Sequence, residues 1–241
     1  MADTEKTAIV TGASQGIGAG LVEAFLKQGY NVVANSRHIT QANPFAASAN
    51  LVLVDGDIGH PSTAAKIVDA AVSKFGRIDV LINNAGIFIP KPFTEYTTAD
   101  LDALVSTTLA GFLYVSQLTV KQMLRQKSGS IVNISTTLVD HPVAGVPVTL
   151  QVMTKGSLDA VTRALAMEYA SDGIRVNTVA LGVIKTPMHK PETYEFLKGL
   201  HPVGRIGEIK EVVDAVLFLT DATFTTGEIL HVDGGAHAGK W

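Results

Sequence analysis

Three glycines, Gly12, Gly16 and Gly18, lie where an apolar run ends and a helical pattern begins. Glycines at such a turn let the backbone bend tightly and approach a pyrophosphate, and the N-terminus of the next helix offers unpaired N–H groups to its charge. Because the turn belongs to the first strand–helix unit of the chain, the pattern favours a dinucleotide site over close helix packing alone. The candidate binding residues of the turn are Gly12, Ser14, Gln15, Gly16, Ile17 and Gly18.

Short apolar runs alternate with helical patterns along the whole chain. The strands are predicted at 6–11, 31–35, 50–54, 78–83, 130–134, 175–179 and 228–232. The helices are predicted at 15–28, 61–75, 98–125, 152–170 and 208–219, with a loop or a single turn between residues 37 and 50. Crossover helices of this length join parallel strands, and near-continuous apolar strands are covered by helices on both faces. We therefore expect an α/β fold with a doubly wound parallel sheet of about seven strands. No linker divides the chain, so residues 1–241 are expected to form a single domain.

The composition excludes several classes of protein. Hydrophobic residues make up 46% of the 241 residues and charged residues 17%, which is incompatible with a mainly disordered chain. The net charge is −3 without a basic block, so we expect neither a nucleic-acid partner nor binding to an anionic membrane. No run approaches ~18 uninterrupted apolar residues, which argues against a membrane span.

Cysteine and histidine usage argues against thiol and metal chemistry. The chain has no cysteine, which excludes disulfides, thiolate metal sites and a cysteine nucleophile. No metal-ligand spacing occurs among His38, His60, His201, His231 and His237, so no metal site is expected. The first ten residues, MADTEKTAIV, lack the apolar run of a signal peptide, and a cytoplasmic location is the expectation.

The motifs together point to a known family. The glycine turn has the spacing TGxxxGxG, and it is accompanied by Asn83-Asn84-Ala85-Gly86, by Gly182 to Met188 and by Val232-Asp233-Gly234-Gly235. With these motifs the chain resembles the short-chain dehydrogenase/reductases over nearly its whole length. The resemblance implies a Rossmann fold, a nicotinamide cofactor, a small-molecule substrate, a substrate lid around residues 186–205 and a homotetramer or dimer. It also implies cofactor contacts from Asp57, Ile58, Asn84, Ala85, Gly86, Lys155, Gly182, Ile184 and Thr186.

The end of the second strand indicates which nicotinamide cofactor is used. A carboxylate there would bind the ribose hydroxyls and repel a 2′-phosphate. Counting from Thr11, Ser36 takes that place and Arg37 follows it. A hydroxyl and a guanidinium suit a phosphate, because arginine pairs with phosphate oxygens in bidentate fashion. We therefore expect NADP(H), with NAD(H) less favoured; the structural alternative is an arginine that is merely solvated.

The catalytic positions of the family are only partly matched. In relatives a tyrosine exchanges the proton of the substrate oxygen, a lysine four residues later lowers the tyrosine's pKa, and a serine binds the oxygen. Lys155 matches the lysine, but Gln151 stands at the tyrosine position, and an amide cannot exchange a proton near neutral pH although it can donate a hydrogen bond. The serine position falls on Thr136, with Ser135 beside it, and the family's asparagine is replaced by Thr108.

Several interpretations of this altered site remain open. His141, in a loop that lines the substrate cleft of relatives, could act as general acid or could be only a solvated residue. Lys155 could protonate the substrate through water or could only bind the nicotinamide ribose. The favoured hypothesis is an NADP(H)-dependent reductase of a C=O or C=N group in a small, apolar or cyclic substrate. The alternatives are a non-redox isomerase, cyclase or lyase, and a catalytically silent nucleotide-binding homologue.

Overall fold

Seven parallel strands form one sheet in the computed structural model, which describes residues 5–239. The strands are β1 (Thr7–Thr11), β2 (Asn31–Ser36), β3 (Leu51–Asp55), β4 (Val80–Asn83), β5 (Gly129–Thr136), β6 (Ile174–Leu181) and β7 (Ile229–Val232). Their order is β3-β2-β1-β4-β5-β6-β7, and every neighbouring pair is parallel. The chain thus winds outward from β1 in one direction and then from β4 in the other. This confirms the predicted doubly wound sheet, and the switch point lies between β1 and β4.

The helices between the strands also follow the predicted pattern. They are α1 (Gly16–Lys27), α2 (Ile39–Ala42), α3 (Pro61–Phe75), α4 (Thr98–Leu104), α5 (Gly111–Gln126), α6 (Thr149–Tyr169), α7 (Tyr194–Lys198) and α8 (Ile209–Asp221). The single turn α2 occupies the stretch for which a loop or one turn was expected. Two differences matter for the site. The helix expected at 98–125 is α4 and α5 joined by a π-helical segment, Val105–Ala110, and α6 begins three residues earlier than expected.

The core lies on both faces of the sheet, which explains why the strands are apolar without alternation. On one face Val10, Val32 and Ile82 pack in a cluster with residues of α1 and α8, and on the other Ile9, Val33 and Leu81 pack with residues of α3 and α5. All five residues of β1 are buried. The carboxyl ends of the central strands are therefore held rigidly where the two halves of the sheet diverge.

One helical stretch, Thr98–Gln126, has the length and the hydropathy to cross a membrane when judged by these two properties alone. This is weak evidence, because a helix that packs on a globular core passes the same test. In its last part, α5, the side chains of Val115, Val120 and Met123 are buried in the hydrophobic cluster that also contains residues of α3.

Candidate active site

Hydrogen bonds fasten the ends of β1 and β4 to each other at the switch point. The Thr11 hydroxyl accepts from the backbone N–H groups of Asn84 and Ala85, each at 3.1 Å, and donates to the Ile82 carbonyl. The Asn84 amide donates to the carbonyl oxygens of Thr11 at 2.9 Å and Gly12 at 3.1 Å. The two motifs found in the sequence, the glycine turn and the Asn-Ala-Gly segment, are thereby joined in one rigid edge.

Two glycines of the turn have no room for a side chain. Gly12 has a φ of +65°, and a Cβ on it would lie 2.8 Å from the Ala85 Cα. A Cβ on Gly18 would overlap the Gly12 carbonyl oxygen and lie 2.9 Å from the Ala13 Cα. The first helix therefore packs against the strand end as closely as a backbone can, and its N-terminus lies at the switch point of the sheet. A helix N-terminus at such a place suits a pyrophosphate.

A cleft of about 420 Å³ opens beside this edge. All five catalytic candidates line it: Ser135, Thr136, His141, Gln151 and Lys155. Seven of the cofactor candidates line it as well: Ile17, Asn84, Gly86, Lys155, Gly182, Ile184 and Thr186. The remaining cofactor candidates lie outside its lining. They are in the turn after β1 or the first turn of α1 (Gly12, Ser14, Gln15, Gly16, Gly18), at the end of β2 (Ser36), or after β2, β3 and β4 (Arg37, Asp57, Ile58, Ala85).

The cofactor candidates that follow β2 and β3 differ in what they can offer a ligand. Arg37 is exposed, and among residues 5–239 its guanidinium makes no hydrogen bond or ion pair, so it is free to bind an anion. The Asp57 carboxylate accepts from the Gly59 N–H at 2.9 Å and is held in a turn. Ile58 is only 6% exposed and packs into the core, so its side chain has little surface left for a ligand.

The orientation of Gln151 is set by the backbone of the segment after β4. Its Nε2 donates to the Ile87 carbonyl oxygen at 2.6 Å, and since a carbonyl oxygen can only accept, the amide cannot be turned the other way. The opposite end of the amide, Oε1, is buried and has no hydrogen-bond partner among the described residues. Gln151 thus has one of its donors engaged and its acceptor without a partner in the described part of the chain.

Thr136 also directs its hydroxyl to the backbone. It donates to the Leu181 carbonyl oxygen and accepts from the Leu138 N–H, both at 3.3 Å. The neighbouring Ser135 is 4% exposed, and its Oγ has no partner among residues 5–239. Thr108, in the π-helical segment, likewise has a buried hydroxyl without a partner in that range. Unsatisfied buried polar atoms are uncommon in native proteins, and two of them, Ser135 Oγ and Gln151 Oε1, belong to residues that line this cleft.

Lys155 and Asp159 are the buried ionisable groups of α6. The Lys155 Nζ donates to the Ile134 carbonyl oxygen at 2.6 Å, and burial lowers the lysine's pKa to about 8. Asp159 is 3% exposed, and its two carboxylate oxygens have no hydrogen-bond partner in the described part of the chain. Burial raises the pKa of this carboxyl to about 6, although the nearby Ser135 hydroxyl and the Lys155 ammonium lower it. Sequence reasoning missed Asp159, whose only signal is its spacing of one helical turn from Lys155.

His141 is exposed on the wall of the cleft and belongs to a group of histidines. Its ring meets the edge of His237 with centroids 6.2 Å apart, and His237 stacks on His231 at 3.9 Å. His231 contacts the Asp140 carboxylate at 3.1 Å, and His237 contacts that of Asp233 at 2.9 Å. These contacts tie the loop after β5 to the end of β7. No group of three potential ligands with metal-binding geometry occurs among residues 5–239.

The predicted lid segment, 186–205, is anchored at both ends. Ile184 and Gly207 form an isolated parallel bridge, in which the Gly207 N–H donates to the Val183 carbonyl at 2.9 Å. The segment carries α7 and lines the cleft with Met188, His189, Phe196, Leu197, Leu200 and His201. Met188 and Phe196 remain 56% and 66% exposed, so this segment packs loosely over the cleft.

His201 is a structural contact that its sequence position did not reveal. Its Nε2 accepts from the Val183 N–H at 2.9 Å and its Nδ1 lies 3.1 Å from the Leu197 carbonyl, which fixes a neutral ring with the proton on Nδ1. Burial lowers the pKa of this imidazole. The ring therefore joins the end of α7 to the loop after β6.

The comparisons agree with this geometry. The family model described as "Enoyl-(Acyl carrier protein) reductase" matches residues 12–237. A tropinone reductase homologue of Arabidopsis thaliana is 36% identical, over 95% of this chain and 91% of the relative. A structure of ElxO with NADP bound is similar with a TM-score of 0.90 and 30% identity, covering 98% of this chain and 100% of that one.

A second structural neighbour was solved with the other nicotinamide cofactor. The 3-ketoacyl-(acyl-carrier-protein) reductase of Brucella melitensis complexed with NADH has a TM-score of 0.90 and 29% identity, covering 98% of this chain and 100% of that one. The sheet order, the glycine turn and these matches over nearly the full length lead to one conclusion. The chain belongs to the short-chain dehydrogenase/reductase family of oxidoreductases.

Proposed function

We propose that this protein is an NADP(H)-dependent oxidoreductase that reduces a C=O or C=N group of a small, apolar substrate without a tyrosine acid. The observation that carries the proposal is the meeting of two sets of residues in one cleft. Four residues line it together: Lys155, Asn84 and Gly86, which would hold the nicotinamide end, and Gln151, which would stand where relatives have the proton donor. A protein that only sensed a nucleotide would have no need of the substrate half of this cleft.

The residues present fit a dinucleotide. The glycine turn at the N-terminus of α1, where Gly12 and Gly18 have no room for a side chain, would hold the pyrophosphate. Arg37 and Ser36 would hold the adenosine ribose with its 2′-phosphate. The Lys155 ammonium, which lies 3.4 Å from the position of a Cβ on Gly86, would bind the nicotinamide ribose. The bound cofactor supplies a hydride, and the protein's own groups position the acceptor and exclude water.

The lining of the cleft favours an uncharged substrate or one with little charge. It is formed mainly by apolar side chains, among them Phe88, Val146, Met188 and Phe196. In the described part of the chain, Lys155 is the only lysine or arginine in the lining, and no carboxylate belongs to it. For a ketone substrate, His141 would supply the proton.

Two further features belong to the proposal. The segment 186–205 would act as a lid that closes over the substrate, since its ends are pinned and its apolar side chains face partly into solvent. A homotetramer or dimer is supported by exposed apolar side chains on α5 and α6, namely Leu113, Met153 and Met167. The tail residue Trp241, which could add to such an interface, lies outside the described residues. Light scattering that gave a monomer mass would contradict the assembly.

The proposed function is tested by following NADPH absorbance in the presence of cyclic ketones and cyclic imines. Turnover that consumes NADPH stoichiometrically with product is the expected result. Product formed without loss of NADPH would indicate a non-redox enzyme. Tight NADPH binding without conversion of any member of the panel would indicate a silent nucleotide-binding protein.

A further inference from the structure

Two of the hydrogen-bond donors that line the cleft, at Thr136 and Gln151, are already engaged by the backbone. Reduction of a carbonyl develops negative charge on oxygen, which must be met by donors placed in advance. The Thr136 hydroxyl donates its single proton to the Leu181 carbonyl, and Gln151 donates to the Ile87 carbonyl at 2.6 Å. Both directions are fixed because a backbone carbonyl can only accept. An oxyanion would therefore have to compete with the protein for these protons.

Gln151 also carries a buried acceptor that has no partner in the described part of the chain. Gln151 is 5% exposed and lines the cleft, and its buried Oε1 has no partner among residues 5–239. A buried oxygen that has lost its hydrogen bond to water destabilises the protein until a donor is supplied. A ligand that brings an N–H group would satisfy it, whereas a ketone oxygen would meet it as a second acceptor.

We propose that the reacting group of the substrate is a protonated C=N, the iminium form of an apolar and preferably cyclic imine, with its N–H donated to Gln151 Oε1. This inference rests on the proposed function and narrows its substrate class. When hydride adds to the carbon, the π electron pair of the C=N bond becomes the nitrogen lone pair, and the cofactor is oxidised by two electrons. The nitrogen keeps its proton throughout, so the reduction needs no acid at position 151.

An alcohol substrate does not fit the same arrangement. An alcohol could donate its O–H to Gln151, but its oxidation releases that proton, and an amide oxygen cannot act as the base that takes it near neutral pH. A neutral secondary amine, the product of iminium reduction, keeps an N–H for Gln151 and loses only hydride in the reverse direction. The site thus suits the amine–iminium pair in both directions.

The test compares 3,4-dihydroisoquinoline with α-tetralone, two bicyclic molecules of similar size that differ in the reacting group. NADPH consumption at pH 7 is measured for both, and calorimetry measures binding of the products 1,2,3,4-tetrahydroisoquinoline and 1-tetralol to the NADP⁺ complex. The proposal expects kcat/KM for the imine to exceed that for the ketone by at least about 100-fold, in line with the cost of leaving a buried polar group unpaired. The amine should likewise bind more tightly than the alcohol.

Two substitutions assign the effect to the acceptor. Q151L removes Oε1 and should weaken tetrahydroisoquinoline binding by about 10-fold or more, whereas Q151E retains an acceptor and should bind it at least as well as the wild type. NADPH affinity of each variant, measured by fluorescence, serves as the control for folding and for the cofactor site. Equal amine binding by Q151L and Q151E would overturn the role of the acceptor.

The outcomes separate this inference from the proposed function. If α-tetralone is reduced as well as the imine, the inference is wrong while the oxidoreductase function stands. If neither compound consumes NADPH and the amine does not bind, the inference is again wrong, and a ketone and sugar panel then decides whether the proposed function also fails.

Discussion

Lys155 and Asp159 lie one helical turn apart on the buried face of α6, and burial moves their pKa values toward each other, to about 8 for the lysine and about 6 for the aspartate. Neither side chain forms an ion pair within the described residues. An ordinary lysine titrates near 10.5 and an ordinary aspartate near 3.8. The buried face of α6 at Lys155 and Asp159 therefore changes its charge between about pH 6 and about pH 8.

The raised pKa of Asp159 predicts that the wild type loses stability as the pH rises from about 4 to about 6. The folded state holds the proton up to a pKa of about 6 and the unfolded chain only up to 3.8, so the folded state binds more protons in this window. The protonated Asp159 contributes its full stabilisation below pH 3.8, the pKa in the unfolded chain. This contribution is lost as the pH rises through about 6, the pKa in the folded state. Two pKa units correspond to roughly 3 kcal/mol, an upper limit. Urea unfolding from pH 4 to 7.5 measures the loss.

Asp159→Asn should abolish this dependence, because the amide does not titrate. Asp69→Asn, at an exposed carboxylate on α3, is the matched control and should leave the pH profile unchanged. A profile of Asp159→Asn that parallels the wild type between pH 4 and 6 would show that Asp159 is ionised throughout.

Arg37→Glu should weaken NADPH binding by a factor of tens while NADH binding changes little. The exposed guanidinium has no partner among residues 5–239, and a charge-assisted bond to a phosphate contributes on the order of 2 kcal/mol. The reversed charge should in addition repel the 2′-phosphate. Fluorescence titration with both cofactors measures the effect, and Arg125→Glu on the last turn of α5 is the control. Equal losses for NADPH and NADH would contradict a 2′-phosphate site at Arg37.

The sequence was sufficient for the fold because the information lies in local patterns. The strands are continuous apolar runs such as those at Ile9 and Val33. Helix α3 begins at a proline and is followed by a glycine, Gly76, whose backbone is left-handed. The glycine turn could be recognised from the sequence because no residue larger than glycine fits at Gly12 and Gly18.

The details of the site could not be predicted because they depend on contacts between distant segments. The orientation of Gln151 depends on Ile87, and the hydroxyl of Thr136 is directed by Leu181, 45 residues away along the chain. The sequence position of His201 gave no sign that its ring hydrogen-bonds both to Leu197 in α7 and to Val183 after β6. The π-helical segment at Thr108 gave no periodic signal that differs from an α-helix.

Gly18→Ala should destabilise the fold and weaken cofactor binding together. The added Cβ would overlap the Gly12 carbonyl, and since backbone cannot rotate away as a flexible side chain can, β1 and α1 would have to separate. Overpacking of this kind typically costs about 1–3 kcal/mol. Thermal unfolding with and without NADPH measures both effects. Gly239→Ala, where a Cβ would meet nothing within 4 Å, is the control; an unchanged unfolding temperature in Gly18→Ala would disprove the close approach.

Gln151→Tyr should raise the reduction of cyclic ketones by about 10²-fold or more, because it places a proton donor four residues before Lys155, the spacing of the family. The lowered pKa of Lys155 changes the pH at which the ammonium can assist the phenol, so the gain should be largest below pH 8 and decline as the lysine loses its proton. Gln151→Phe introduces the same ring without the hydroxyl and is the matched control. Initial rates of NADPH oxidation with α-tetralone between pH 6 and 9 measure the gain. If the Gln151→Phe and Gln151→Tyr variants reduced α-tetralone at the same rate, the phenol would not be the proton donor. His141 would then be the first side chain of the cleft to replace.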